Sequence, residues 1–298
     1  MSLNDALSRA GDSRGGQDLR AAAKAAARGP LDLLSSSSWL TRAAKALLLP
    51  LGLVLIWEIF SRSGIFPPNL LPSPSVVLAK IVGLWNSGEL STHIGVTVTR
   101  VAFGFLAGAA AATLLGALTG YSKAARELLD PTLQALKSVP SLAWVPLFIL
   151  WFGIFETSKV TLIAVGVFFP VYLNLMTGIQ GVDRKLVEVG KSYNLSRLKL
   201  VRRILLPATL PSYFVGLRAG LALGWMFVIA AELMGASEGL GFLMIDGQMT
   251  GQPALIIASL ILFAILGQAS DTGITAVSRR VLSWQDDFAG MSGGRKNA

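Results

Sequence analysis

The sequence predicts an all-α protein that crosses a membrane six times. Of its 298 residues, 53% are hydrophobic and only 14% are charged, whereas about a quarter of the residues of a water-soluble domain are charged. Six apolar segments approach or exceed the roughly 18 residues that mark a membrane-spanning helix. These segments are residues 43–61, 95–120, 139–155, 160–179, 210–234 and 254–277.

The distribution of lysine and arginine predicts the orientation of these spans. With the N-terminus in the cytoplasm, the inner segments hold 21 of the 26 basic residues, and the outer loops hold only Arg62, Lys80 and Lys159. An excess of Lys and Arg on the cytoplasmic side is the usual determinant of topology. Both termini are therefore expected inside, and the net charge of +9 needs no nucleic-acid partner. We expect a polar tail over 1–42, a permease domain over 43–280 and a second tail over 281–298.

The N-terminal tail lacks the apolar core of a signal peptide, so no cleavage is expected.

The first elements after the tail are interrupted by proline. Pro50 lies within the first span. In the outer loop 62–94, Ser75 is expected to cap a short helix that lies at the membrane interface and is anchored by Trp85.

Spans two and five carry a small residue at every fourth position. This spacing places the small residues on one face of each helix, where two helix backbones can approach closely. Packing within one subunit is favoured over an interface between subunits. The residues are Gly104, Gly108, Ala112, Gly116 and Gly120 in span two, and Gly216, Gly220 and Gly224 in span five.

The third span is broken by Pro140 and Pro146. Such breaks survive in a membrane where neighbouring helices or a cavity satisfy the freed backbone groups. Trp144 and Pro146 are therefore candidates for a gate in a pore, and packing in the core explains them at least as well.

Several ionisable residues lie within or near the spans, where such residues are candidates for function. Arg218 is a candidate for attracting an anion, and the alternatives are an internal ion pair or a side chain that extends to the cytoplasm. Arg100 is expected to extend to the outer surface. Glu232 is a further candidate for the pore or anion pathway. Glu232 and Asp271 could each pair with an arginine of another helix, and the sequence does not indicate which arginine. The single histidine, His93, is expected to be an ordinary solvated or core residue.

The loop 181–207 between spans four and five is predicted to form a helix–turn–helix, which we call the finger. Residues 183–192 favour a helix, and Asn194 tolerates the left-handed backbone that ends one. Ser196 can cap a second helix that runs through Leu206, and Pro207 is expected to end it. The positive-inside distribution places the finger in the cytoplasm.

The finger resembles a motif in the membrane subunits of binding-protein-dependent ABC importers. That motif is Glu-Ala-Ala, three residues, Gly, nine residues, Ile, one residue and Leu-Pro. Val189 and Gly190 replace its two alanines, and Asn194 replaces its glycine. The matching positions are Glu188, Val189, Gly190, Asn194, Ile204, Leu206 and Pro207.

The resemblance extends over about residues 45–287. The stretches 139–159, 168–179, 210–244 and 266–271 are similar to permeases for alkanesulfonates, taurine, nitrate or bicarbonate. The resemblance implies the fold of a type I importer permease in a bacterial inner membrane, with an aliphatic sulfonate as the leading substrate. Taurine, nitrate and bicarbonate are the next candidate substrates.

The resemblance also implies partners. Two permease copies, expected to be identical, would form the pore, and an extracytoplasmic solute-binding protein would deliver the substrate. Two cytoplasmic ATPase subunits, which carry the ATP and Mg, would dock on the fingers. Leu198 and Leu200 are the expected apolar anchors for the ATPase, and Glu188 is the expected ion-pair partner. The alternative for the basic residues of the loop is that they only enforce topology and bind anionic lipid.

Other functional classes find little support in the sequence. There is no cysteine and no Walker sequence, and residues 235–248 form a predicted outer loop without the Gly-Lys-Ser/Thr of a phosphate-binding loop. No catalytic arrangement stands out, so neither an enzyme nor a chain with its own cofactor or metal is expected. The main alternative is an ion-coupled secondary transporter. It would need intramembrane acids and often internal repeats, and the chain offers Asp271 but no repeat.

Overall fold

Helices make up all the regular structure that is described. The computed structural model of the chain describes residues 38–67 and 69–284, without the side chains of residues 38–47, 197 and 198. The predicted all-α fold is confirmed. The chain divides at Ile65 into two compact units, and α1, Ser38–Arg62, belongs to the first.

The second unit contains ten further α-helices within its described residues. They are α2 (Pro74–Asn86), α3 (Glu89–Tyr121), α4 (Lys123–Ser138), α5 (Val145–Phe152), α6 (Glu156–Gln180), α7 (Arg184–Ser192), α8 (Arg197–Leu200), α9 (Leu206–Leu233), α10 (Leu240–Met249) and α11 (Pro253–Val281). A 3₁₀ turn, Ser141–Trp144, precedes α5, and a π turn, Val201–Leu205, joins α8 to α9.

Four helical stretches are long and apolar enough to cross a membrane. They are α3, α6, the π turn together with α9, and α11, which contain the second, fourth, fifth and sixth predicted spans. A fifth candidate is the pair Lys123–Ser138 and Ser141–Phe152, bent by 89°. The first predicted span lies on the 25-residue helix α1, which is not among these candidates. The count of six spans therefore stays a prediction.

The third predicted span is a bent structure. Residues 121–138, expected to be a loop, contain the 16-residue helix α4, and α5 has only eight residues. The bend lies at Val139, whose backbone is extended at φ −76° and ψ 122°. A residue that precedes proline is disfavoured in the helical region, so Pro140 accounts for the break.

Helix α6 lies between α3 and α9, and both stripes of small residues face it. A Cβ added at Gly104 would lie 2.5 Å from Cγ2 of Ile163, and one added at Gly220 would lie 2.9 Å from Cγ2 of Val171. A Cβ at Gly108 would collide with the carbonyl oxygen of Ala164. The stripes therefore serve packing within one chain, as predicted.

The short helix predicted in the segment 62–94 is present as α2, but its start differs from the prediction. The residue that caps α2 is Ser73, with an extended backbone, and Pro74 occupies the first turn. Proline suits this position because its fixed φ matches the helix and the missing N–H has no helical partner there. The assignment of the cap to Ser75 was therefore wrong by two residues. Trp85, the predicted membrane anchor, is exposed.

Candidate functional site

The first helix of the finger ends in a left-handed turn at Asn194. Its φ of 52° is the only positive value of a non-glycine residue in the described part of the chain. The amide of Leu195 donates to the carbonyl of Gly190 at 3.1 Å, and that of Asn194 donates to Lys191 at 2.8 Å. This pair of bonds is a Schellman motif, in which the left-handed residue is usually glycine and sometimes asparagine. The predicted turn is confirmed.

Gly190 allows the two arms of the finger to touch. It is buried, and a Cβ added there would lie 2.6 Å from Cδ1 of Ile204 and 3.4 Å from Cδ1 of Leu200. A larger side chain would separate the arms. Leu200, predicted to be an anchor for a partner, is half-buried and packs inside the finger.

The first helix of the finger and the residue that follows it expose an apolar surface. Leu186, Val189 and Tyr193 are exposed, Tyr193 by 79%. Sequence analysis selected only Val189, although the spacing of three and four residues places all three on one helix face. Glu188 is also exposed and forms no ion pair with any described residue. The side chain of Leu198 lies outside the described residues.

The second arm of the finger continues into a spanning helix. The predicted end at Pro207 was wrong, because Leu206 begins α9 directly after the π turn, with its amide donating to the carbonyl of Val201. Proline lacks the N–H of one helical hydrogen bond, and its ring clashes with the carbonyl group four residues earlier. A π turn widens the backbone at this place, so α9 passes through Pro207 without a break. Ile204 is half-buried and Leu206 is exposed.

A cluster of charges lies at the end of the helices away from the finger; Arg100 and Glu232 are buried in it, whereas Glu156 is 59% exposed. The Nε and Nη2 groups of Arg100 donate to the carboxylate of Glu156, each at 2.6 Å. Its Nη1 donates to Glu232 at 2.9 Å and to the carbonyl of Glu238 at 2.6 Å. Arg100 was expected to extend to the surface, but it is buried. That expectation was wrong because acids of two other helices approach the side chain from within the protein.

Glu232 joins this cluster to the segment that follows α9. Its carboxylate accepts hydrogen bonds from Thr97 at 2.8 Å and from the amide of Gly241 at 2.8 Å. Thr97 in turn accepts from the amide of Leu240 at 2.9 Å. The predicted outer loop 235–248 thus contains a helix, α10, whose first turn is tied to α3 and α9. Glu232 was a candidate for the anion pathway, and the structure buries it in this cluster.

Sequence analysis missed Thr97, Glu156 and the role of His93. Nδ1 of His93 accepts a hydrogen bond from the amide of Gly239 at 3.0 Å. The spacing of His93, Thr97 and Arg100 places three polar residues on one face of an apolar helix, and this was the signal available. The sequence around Glu156 contains no such spacing, because its partner Arg100 lies 56 residues away in the chain.

The second charge pair joins α9 to α11. Nε of Arg218 donates to Oδ1 of Asp271 at 2.8 Å, and Nη2 donates to Oδ2 at 2.7 Å. Both Asp271 and Glu232 therefore pair with an arginine of another helix, as predicted. Unlike the Arg100 cluster, this pair is partly exposed, by 48% for Arg218 and 33% for Asp271.

The broken third span brings aromatic rings together, and near its end the carbonyl of Ile154 accepts a hydrogen bond from Lys159 at 3.0 Å. Trp144 is half-buried and stacks on Phe148 at a ring separation of 6.1 Å. It lines an apolar cavity of about 280 Å³ with Phe168 and Phe169, and its Nε1 is buried without a hydrogen-bond partner among the described residues. Pro146 is exposed at the start of α5. Within the described ranges, no group of three His, Cys, Asp or Glu residues could hold a metal ion.

Comparison with known proteins identifies related chains over most of the length. Residues 104–283 match the model of the family described as binding-protein-dependent transport system inner membrane component. A putative aliphatic sulfonates transport permease protein of Bacillus subtilis is 40% identical over 83% of this chain and 89% of its own length. Its Escherichia coli counterpart is 39% identical over 84% and 95%. The taurine transport system permease protein of Escherichia coli is 30% identical over 79% and 87%.

Proposed function

Because this chain belongs to the family of binding-protein-dependent transport system inner membrane components, we propose that it forms the pore of an ATP-driven importer for an aliphatic sulfonate. The likeness to the two aliphatic sulfonates permeases, at 40% and 39% identity over more than four-fifths of the chain, carries this proposal. The likeness to a taurine permease supports the same chemistry, because taurine is itself a sulfonate. Nitrate and bicarbonate are the next candidates.

The proposed assembly contains two copies of this chain, two cytoplasmic ATPase subunits and an extracytoplasmic solute-binding protein. In it, the chain carries no catalytic residue, and the ATPase subunits bind ATP and Mg. Both termini and the finger face the cytoplasm, in agreement with the distribution of Lys and Arg.

The finger is the proposed contact with the ATPase. Helix α7 and the Tyr193 that follows it expose Leu186, Val189 and Tyr193 beside Glu188, which forms no ion pair with the residues that the structure describes. They offer apolar anchors and one charge to a groove of a partner. Buried aromatic and aliphatic anchors contribute most of the affinity at such contacts. Rigid internal packing around Gly190 lets the finger move as one body when the ATPase subunits close.

The continuous helix through the π turn provides the proposed path for this motion. A displacement of the finger pulls directly on α9, because no loop separates them. The π turn also lines an apolar cavity of about 430 Å³, together with Leu118 of α3 and Leu175 of α6. Such a cavity leaves space for the root of the finger to shift without displacing packed side chains.

The proposed substrate is tested by uptake into liposomes. The chain, its ATPase and its solute-binding protein are reconstituted together, and the uptake of radiolabelled ethanesulfonate, taurine, nitrate and bicarbonate is measured with and without internal ATP. We expect uptake of the sulfonates only when ATP and the ATPase are both present. Sulfonate uptake by the chain without the ATPase would support the ion-coupled transporter instead.

The proposed role of the finger is tested by charge removal at two ends of the molecule. Glu188→Ala should lower ATP-driven uptake at least tenfold while leaving expression and basal ATP hydrolysis near wild type. Glu89→Ala, which removes another exposed acid at the opposite end of the helices, is the matched control and should leave uptake unchanged. Equal uptake by both variants would refute the assignment of Glu188.

A further inference from the structure

The Arg218–Asp271 pair lies far from every end of the two helices that carry it. Arg218 is 12 residues from the start of α9 and 15 from its end, which is about 18 Å and 22 Å at 1.5 Å per residue. Asp271 is 18 residues from the start of α11 and 10 from its end, about 27 Å and 15 Å. An arginine side chain cannot extend over these distances to reach water at a helix end.

The chain does not enclose this pair. Arg218 is 48% exposed and Asp271 is 33% exposed, although both lie within candidate membrane spans. Ionisable groups at such depth face a water-filled cavity or another protein surface rather than lipid, because lipid cannot solvate them. The face of α9 and α11 that carries the pair is therefore expected to border a water-filled space or another protein chain rather than lipid.

Three of the five N–H donors of the Arg218 guanidinium remain available for a ligand. Asp271 occupies Nε and one N–H of Nη2. Nη1 makes no hydrogen bond with any residue that the structure describes, so the edge formed by Nη1 and Nη2 still presents N–H donors. Two parallel donors on one edge match two oxygens of an oxyanion. A sulfonate has three equivalent oxygens and one negative charge, so it fits this edge.

The exposed surface around the pair differs between the two helices. On α9, Val215 is exposed one turn before Arg218 and Met226 two turns after it, whereas α11 presents a stripe of small and polar residues beside Asp271. Gln268 and Thr272 lie one turn apart beside Asp271, are exposed, and form a side-chain hydrogen bond of 3.3 Å. The positions one turn before and after them, Ala264 and Ala276, are exposed and small. A stripe without bulky side chains suits the wall of a solute path better than a lipid-facing surface.

We propose that Arg218, held by Asp271, is an anion-binding station in the transport path that accepts a sulfonate on its Nη1–Nη2 edge. This inference rests on the proposed function and assigns a residue to it. Asp271 orients the guanidinium and offsets its charge. Because the carboxylate of Asp271 partly neutralises the arginine, the anion binds weakly enough to leave again. Conduction requires such release.

A neutral double variant provides the main test. Arg218→Gln with Asp271→Asn removes both charges together and leaves no unpaired charge within the membrane. In liposomes that contain the complete complex, it should lower ATP-driven uptake of radiolabelled ethanesulfonate at least tenfold. Its thermal unfolding midpoint and its ATP hydrolysis in the presence of the loaded solute-binding protein should stay near wild type. The matched control is Lys123→Gln with Glu127→Gln, which neutralises a pair whose side chains are 84% and 68% exposed and should change nothing.

A single variant tests the role of Asp271. In Asp271→Asn, the charge of Arg218 loses its counter-ion, so the permease–ATPase complex without its solute-binding protein should bind ethanesulfonate at least threefold more tightly in equilibrium dialysis. The same variant should transport more slowly, because release is slower. If the double variant fails to fold, the ethanesulfonate affinity of Asp271→Asn serves as the test instead. An affinity equal to that of the wild type then refutes the station.

The remaining outcomes separate the two proposals. Near-normal uptake by a folded double variant refutes the station and favours a pair that is merely covered by the second copy of the chain. Failure of the wild-type complex to import ethanesulfonate refutes the proposed sulfonate substrate itself, and with it the ligand assigned here.

Discussion

Arg100 and Glu232 form an ion pair of 2.9 Å that is almost sealed from the surface, with 4% and 0% of their side chains exposed. The two residues are 132 positions apart in the chain. Removing one member of such a pair leaves the other charge buried and unpaired, which costs far more than losing a pair at the surface.

Replacing Arg100 by methionine should therefore destabilise the protein severely. We expect Arg100→Met to lower the free energy of unfolding by roughly 3–5 kcal/mol, measured by thermal or denaturant unfolding in detergent. Lys123→Met breaks an exposed pair with Glu127 at 3.6 Å and should cost less than about 1 kcal/mol. Similar stability of the two variants would contradict the structural importance of the buried pair.

Gly239 should not tolerate even alanine. Its φ is +121°, and an added Cβ would lie 2.5 Å from Oε1 of Glu232. Gly239→Ala should therefore displace the start of α10 and lower the unfolding free energy by about 2 kcal/mol, given the backbone strain alone. Gly95→Ala is the control, since its Cβ would meet nothing within 4 Å, and it should leave stability equal or slightly improved. A fully stable Gly239→Ala protein would show that the segment can rearrange.

The left-handed turn at Asn194 predicts opposite effects of two substitutions. Asn194→Gly should preserve the finger, because glycine adopts a positive φ without strain. Asn194→Val should weaken the turn by roughly 1–2 kcal/mol. Hydrogen exchange of the amides in residues 184–200 measures this, and we expect faster exchange only in the valine variant. Equal protection in both would mean that the turn does not depend on residue 194.

The orientation of the finger can be tested directly, because the chain contains no cysteine. Tyr193→Cys introduces a single thiol at an exposed position of the finger, and Trp85→Cys introduces one at an exposed position of α2. In intact cells that produce the chain without its proposed ATPase, which would cover residue 193, a thiol reagent that cannot cross the membrane should label the cysteine at 85 and not the one at 193. Inside-out vesicles should show the reverse. Labelling of residue 193 from outside would overturn the proposed topology.

Local patterns account for much of what the structure contains. Apolar runs of sufficient length predicted the spanning helices, the spacing of small residues predicted the close packing of α3 and α9, and the chemistry of Asn194 predicted the turn of the finger. Each of these features depends on residues within a few helical turns of one another. For this reason they can be inferred without knowing how the helices assemble.

Other features depend on contacts between distant segments. Sequence analysis placed Arg100 at the surface, ended a helix at Pro207 and left α10 as a loop. A charged side chain near a helix end can reach water or an acid of another helix, and only the packing of α3, α6 and α9 decides in favour of Glu156 and Glu232.

The sequence by itself determined a helical membrane protein with a finger between two spans, because hydrophobicity and turn propensity act locally. Tertiary structure alone decided which charges meet. It buried Arg100 with Glu232 and left the Arg218–Asp271 pair partly exposed. The energy of a charge depends on the solvent and the partners that surround it in three dimensions, and neither is encoded in its neighbours along the chain.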